Sequence, residues 1–142
     1  MSAPGAGARW IRLAEGYDGP RVRALAVAPT GAHPPLPVLA LIDTGATGTL
    51  IDRRRVAHPL GLRAVDRQVV RTAGREPATM DVHELGLRFP DFPVPGRVLR
   101  VGAVDLPQPF AVLVGMDLLE GTRLALEWRA GERWLRWEPI PG

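Results

Sequence analysis

The stretch Val38-Leu39-Ala40-Leu41-Ile42-Asp43-Thr44-Gly45-Ala46 constrains this chain more than any other. Five apolar residues run without a break into an acid, a hydroxyl and a glycine. An apolar run of this length reads as a strand buried on both faces, so the fold has to cover it from two sides. A carboxylate at the end of such a strand is partly withdrawn from water, which disfavours its charged form. Gly45 permits a tight turn, and Thr44 and Thr47 can hydrogen-bond within the loop. Thr49-Leu50-Ile51 then resumes the apolar pattern. By itself Asp-Thr-Gly is also an ordinary way to end a strand, so the rest of the chain has to decide.

The segments before it read as β. Trp10–Leu13 and Arg21–Val27 look like two strands with a turn at Gly16–Pro20 between them, a hairpin-like start, and residues 29–37 form a Pro- and Gly-rich loop into the central strand. After Ile51, Asp52 is placed to cap a short helix reaching about Ala57, which Pro59 and Gly61 stop. Gln68–Thr72 and Thr79–Val82 flank a Gly-containing tip and read as a hairpin. The apolar phase shifts between Val82 and Leu85, as a β-bulge would produce. Five prolines in residues 90–109 suit an irregular excursion around a strand at Arg97–Val104. Phe110–Val114 is a second buried strand, running into Gly115 and a helical pattern with Leu118 and Leu119 apolar. There, Gly115 lets the strand pass close to the Asp43 loop, and Asp117 reads as a helix N-terminal acid. Leu124–Trp128 and Trp134–Trp137 make a last hairpin around residues 130–132, its tryptophans suited to core or interface packing.

Apolar-apolar-Asp-Thr-Gly-Ala, a glycine-tipped hairpin, and an apolar run into Gly with paired large hydrophobes occur here in one order. In that order they resemble the retropepsin-like aspartic proteases, the single-domain relatives of the retroviral proteases, over roughly residues 20–128. The resemblance implies an all-β fold: a retropepsin-like closed β-barrel or sandwich with a flap hairpin and one short helix near the C-terminal part. Residues 10–142 form one such domain behind a disordered tail at 1–9. It implies Asp43 as the catalytic residue, with Thr44, Gly45 and Ala46 completing the active-site loop. Thr44 braces two loops across an axis, Gly45 lies near the substrate backbone, and the flap tip is Thr72, Ala73, Gly74 and Arg75. The expected substrate is an extended peptide or unfolded protein.

Aspartic protease chemistry needs two carboxylates sharing a proton. This chain has eight aspartates but a single Asp-Thr-Gly, so the resemblance implies a homodimer, which sets Asp43 beside its symmetry mate. The alternative is a catalytically inactive dimeric peptide-binding module with the same fold, since fold does not guarantee activity. A third reading, a basic nucleic-acid-binding barrel, finds little support. All 18 basic residues are arginine, but the net charge is only +3 and the one cluster, Arg53-Arg54-Arg55, reads as a solvated helix face.

Composition removes other chemistries. With no cysteine, lysine or Gly-x-Ser-x-Gly, thiol catalysis, a Schiff base, a Walker A loop and a serine-hydrolase elbow are all excluded. His33, His58 and His83 are scattered, so neither a metal site nor a cofactor is expected. No apolar run suggests a secretion signal or a membrane span, which makes a cytoplasmic protein the expectation.

Overall fold

Alternation in Arg21–Val27 sends Val22, Ala24 and Ala26 to one face, and these three are buried. They belong to the second of ten strands in the structure, a computed structural model that describes residues 9–13, 19–71, 74 and 76–141. The strands are β1 (Ile11–Arg12), β2 (Arg21–Val27), β3 (Leu36–Ile42), β4 (Leu50–Asp52), β5 (Asp66–Val70), β6 (Ala78–Arg88), β7 (Arg97–Val104), β8 (Val112–Val114), β9 (Thr122–Arg129) and β10 (Glu132–Pro139). A π-turn at Arg53–Ala57 and a one-turn helix α1 (Met116–Leu119) complete the elements. Among the described residues no helix is long and apolar enough to cross a membrane.

The larger sheet runs β2-β3-β8-β4-β7-β6-β5, and β2 also pairs with β6. That extra pairing closes six strands into a barrel and leaves β5 hanging from β6. The eleven residues of β6 make this possible. Its first part, from Ala78 to Val82, pairs with β5, and Gly86–Arg88 at its end pair with β2. The barrel interior holds Ala24, Ala26, Ala40, Ile42, Ile51, Leu85, Leu87, Val101, Val112 and Val114 among its buried residues.

A smaller sheet, β1-β10-β9, adds Leu135 and Trp137 to the same core. Trp137 is fully buried with Phe89 edge-on at 4.7 Å, and its indole N–H donates to Thr122 Oγ1 at 2.9 Å. The β9–β10 turn places Ala130 and Gly131 at φ 49° and 81°, the paired left-handed residues of a two-residue hairpin loop.

The structure revises several expectations. The two N-terminal strands are not a hairpin: β2 has β3 and β6 on its two edges, so β1 pairs with β10 (Ile11 opposite Leu135). Residues 16–18 of the turn expected there, and tail residues 1–8, lie outside the described residues. The central strand β3 is buried on one face only. Ala40 and Ile42 face the interior, while Leu39 lines an outer recess with Ile11 and Phe92.

No bulge interrupts β6; its register with β7 runs unbroken from Asp81 opposite Ala103 to Leu87 opposite Arg97. The apparent phase shift arises because buried His83 fills an interior position of the Leu85–Leu87 face, while Val82 is buried on the opposite one. The arginine cluster is only partly a solvated face. Arg53 pairs with Asp105 at 2.9 Å, and Arg55 bridges Asp52 and the carbonyls of Leu106 and Phe110.

Candidate active site

The topology sets β8 between β3 and β4, parallel to the first (Ala40 opposite Val112) and antiparallel to the second. The 43–49 loop that joins β3 to β4 must therefore cross over the end of β8, and the segment leaving β8 runs beneath it. Asp43 N–H donates to Val114 O at 2.9 Å, which anchors the first loop residue to β8. Met116 N–H donates to Ala46 O at 2.8 Å and Asp117 N–H to Thr47 O at 3.2 Å, so the start of α1 grips the loop's other side.

Gly115 makes this approach possible. A Cβ there would stand 2.5 Å from both the carbonyl carbon and oxygen of Gly48, and 3.0 Å from Ala46 O. The expected close passage of residue 115 against the loop is thus present in atomic detail.

Two side chains complete the brace. The Thr49 hydroxyl donates to Asp117 Oδ1 at 2.7 Å and accepts from Gly115 N–H at 3.1 Å. Thr49 N–H donates to Asp117 Oδ2 at 3.1 Å, and Leu118 N–H donates to the same carboxylate's Oδ1 at 2.8 Å. Thr49 is buried, so every hydrogen-bonding group of this knot has its partner inside the protein. Asp117 does lie in the first turn of α1, as expected, but its carboxylate does more there than favour the helix: it ties α1 to the loop.

Held this way, the Asp43 carboxylate is half-buried, Thr44 and Gly45 are exposed, and Ala46 is half-buried. Asp43 Oδ1 accepts from Gly45 N–H at 2.9 Å. Gly45 is not in a left-handed conformation, so its role differs from the expected one: a Cβ on it would sit 3.2 Å from Asp43 Oδ1. Glycine at this position leaves the carboxylate's outer side open. The loop's exit is linked to the hairpin as well. Met80 of β6 packs over Gly102, where a Cβ would meet its sulfur at 2.3 Å and Leu50 Cδ2 at 3.0 Å.

Of the sequence-predicted site residues, Asp43, Thr44, Gly45 and Ala46 come together in this one loop. Of the four at the hairpin tip, Gly74 stands in a turn at φ 77° with nothing within 4 Å of its missing side chain. Thr72, Ala73 and Arg75 lie outside the described residues. The β5 arm of that hairpin is exposed at every position. The sequence reading missed Thr49 and the use to which Asp117 is put. Their signal was a hydroxyl entering an apolar strand and an acid two residues after a close-packed glycine. Among the described residues, no three His, Cys, Asp or Glu side chains group to hold a metal ion.

Three comparisons bear on this arrangement. A family model described as aspartyl protease matches residues 31–118, more than half of the chain, which takes in the 43–49 loop, β8 and α1 as far as Leu118. No curated protein matches the chain. Among solved structures, the chain is similar to the retroviral protease-like domain of Ddi1 from Leishmania major, at 14% identity and a TM-score of 0.47, with 84% of this chain and 94% of that one covered. On the family match, and with an Asp-Thr-Gly loop of its own, the chain belongs to the aspartyl protease family, as a member of the retropepsin-like kind.

Proposed function

We propose that the chain is an aspartic endopeptidase that works as a homodimer, with Asp43 from two copies facing each other across a two-fold axis. The observation that carries this reading is the loop itself: a single Asp-Thr-Gly per chain, half-exposed and held rigidly from beneath by residues 114–117. A site that must meet its own mate has to present the carboxylate outward on a loop that does not yield.

In such a pair the two carboxylates hold one proton between them. The ionised one takes a proton from a water, whose oxygen attacks the scissile carbonyl carbon. The protonated one gives its proton to the carbonyl oxygen, which leaves a tetrahedral diol. Collapse of the diol breaks the C–N bond as the carboxyl that took the water's proton gives it to the departing nitrogen. The ionised carboxylate takes a proton from a diol hydroxyl, so that the pair again holds one proton. In this reading Thr44, exposed beside Asp43, braces the two loops across the axis. The exposed β5–β6 hairpin supplies a flap to cover an extended peptide, which pairs as an added strand and sheds water.

The test is peptide cleavage. The purified protein and Asp43→Asn are incubated with a denatured protein digest at mildly acidic to neutral pH, and new termini are read by mass spectrometry. Internal cuts that disappear in the variant are expected. Dimeric wild-type protein that makes no Asp43-dependent cut refutes the endopeptidase reading.

A further inference from the structure

β7 carries a glycine in the middle of an apolar stretch. Gly102 lies between Leu50 of β4 and Val82 of β6, in register with both. A Cβ on it would land on the end of the Met80 side chain, nearest the sulfur, and 3.0 Å from Leu50 Cδ2. The thioether therefore sits in the slot that a side chain at 102 would fill.

That slot opens on the sheet face that carries Asp43. Ala40, Ile42, Ile51, Val112 and Val114 are buried in the barrel, so the residues alternating with them, Leu41, Leu50 and Leu113, face outward. Leu41 stands two positions before Asp43. Register joins the three into one row that ends at the slot: Leu41 opposite Leu113, Leu113 opposite Leu50, and Leu50 opposite Gly102. All three leucines are half-buried, so apolar surface stays open along the row. Neighbouring strands lie about 4.8 Å apart, which puts Gly102 about 14 Å across the sheet from β3, the span of about four extended residues.

Met80 is placed to leave the slot. It is half-buried, and its unbranched thioether side chain turns easily. The β6–β7 ladder begins with Asp81 opposite Ala103, so Met80 lies one residue outside it, on the arm that pairs with β5 opposite Gln68. Lifting the β5–β6 hairpin from the sheet draws the thioether out and bares Gly102 beside Leu50.

We propose that Met80 is a specificity-determining residue: a movable plug that a Met or Leu side chain of the bound peptide displaces and replaces. This rests on the peptide cleft of the proposed function and adds a side-chain preference several residues away from the scissile bond. The exchange is like for like, because a space that holds the end of a methionine holds another apolar group of the same size. A charged side chain finds no partner against Leu50. A small one leaves Met80 where it is and gains nothing from the slot.

The first test reads Met80 directly. The chain has three methionines, so isotope-labelled methionine methyl groups give three signals, and Met80→Leu assigns one of them. Asp43→Asn in the full chain is titrated with alanine-rich peptides in which a single Met is moved one position at a time. At one position the peptide is expected to shift the Met80 methyl signal toward that of free methionine, and to bind about tenfold or more tighter than its all-alanine parent. The parent is expected to leave the signal in place. Met80→Ala, which empties the slot, is expected to strengthen the preference at that position, and Gly102→Ala, which fills it, to abolish the preference. Thermal unfolding checks that both variants are folded; if Gly102→Ala is not, the methyl signal and Met80→Ala decide.

A Met80 signal that no peptide moves overturns the proposal, as does a peptide ranking that Met80→Ala leaves unchanged. Asp43-dependent cleavage by the wild-type chain without a preference at any such position overturns the plug and leaves the protease reading standing. A displaced Met80 signal without cleavage by the wild-type chain supports the plug and overturns the protease reading alone. Neither binding nor cleavage of any peptide overturns both.

Discussion

Thr49→Val removes one hydroxyl from the knot beneath the Asp43 loop and leaves side-chain volume almost unchanged. The structure lets its cost be worked through. The hydroxyl's 2.7 Å bond to the Asp117 carboxylate is lost; a hydrogen bond to a charged group contributes roughly 1.5–3 kcal/mol. The Gly115 N–H that donated to it at 3.1 Å is left buried without a partner, at a further cost of about 1–3 kcal/mol. Asp117 keeps the N–H donors of Thr49 and Leu118, which favours the lower half of these ranges, about 3 kcal/mol together. For a domain of this size that lowers Tm by roughly 6–12 °C. Thr49→Ser, which keeps the hydroxyl and loses only a methyl, should cost about 1 kcal/mol. The assay is thermal unfolding of the two variants beside wild type, with Asp43-dependent cleavage measured well below both midpoints. Thr49→Val should lose both stability and turnover, and Thr49→Ser should keep most of each. Equal midpoints for the two variants would refute the argument that the hydroxyl, rather than the shape of the side chain, holds the loop.

Three further outcomes follow from particular contacts. Gly115→Ala puts a methyl 2.5 Å from the Gly48 backbone and should destabilise by about 1–3 kcal/mol in chemical denaturation, with cleavage falling further than stability explains; a midpoint within error of wild type would contradict the close passage. For Asp52, burial pushes the carboxyl pKa up, but the Leu106 and Arg55 N–H groups and the Arg55 guanidinium outweigh it and hold the folded pKa below the usual range. Its stabilisation is therefore complete above the unfolded-state pKa and lost as pH falls through the folded one, so Asp52→Asn should flatten the drop in Tm below about pH 4; an unchanged acid limb would remove Asp52 from the account. Ala130→Gly should stabilise by about 0.5–1 kcal/mol, because φ at 49° strains an alanine and not a glycine; a lower Tm would show that the turn is not strained.

How much of this was legible in the sequence depended on how local the determinant was. The Asp43 loop needs an apolar strand, an acid and a glycine in consecutive positions, and β7 is a run bounded by proline and glycine, so both were readable with their boundaries. The role of Asp52 as a cap was readable because donor and acceptor lie three residues apart. The partner of β1 was not, since a strand carries no mark of which edge will be free to receive it. His83 misled the reading of β6 because a polar residue in an interior position breaks the alternation without breaking the strand. Thr49 and Asp117 were missed as a pair because 68 residues separate them and only the fold brings them together. Arg55 had looked solvated for the same reason: the carbonyls it holds belong to a loop more than fifty positions away.

The crossing of the 43–49 loop over β8 also bears on the order of events as the chain folds. β3 is made early, but its parallel neighbour β8 is 72 positions further along, counting from Ala40 to Val112. Contacts of that separation form late and slowly, because a long stretch of chain must be closed before they reward it. A nascent chain synthesised as far as Asp105 already contains Asp43, Thr44 and Gly45. It lacks Val114 to receive the Asp43 N–H, Met116 to hold Ala46, and Asp117 to meet Thr49. Its loop has nothing to rest on until residues 114–117 have followed. Assembly of the candidate site in this way waits for a segment some seventy positions downstream of it, and a chain stopped before that segment carries the Asp-Thr-Gly triplet without the contacts that hold it.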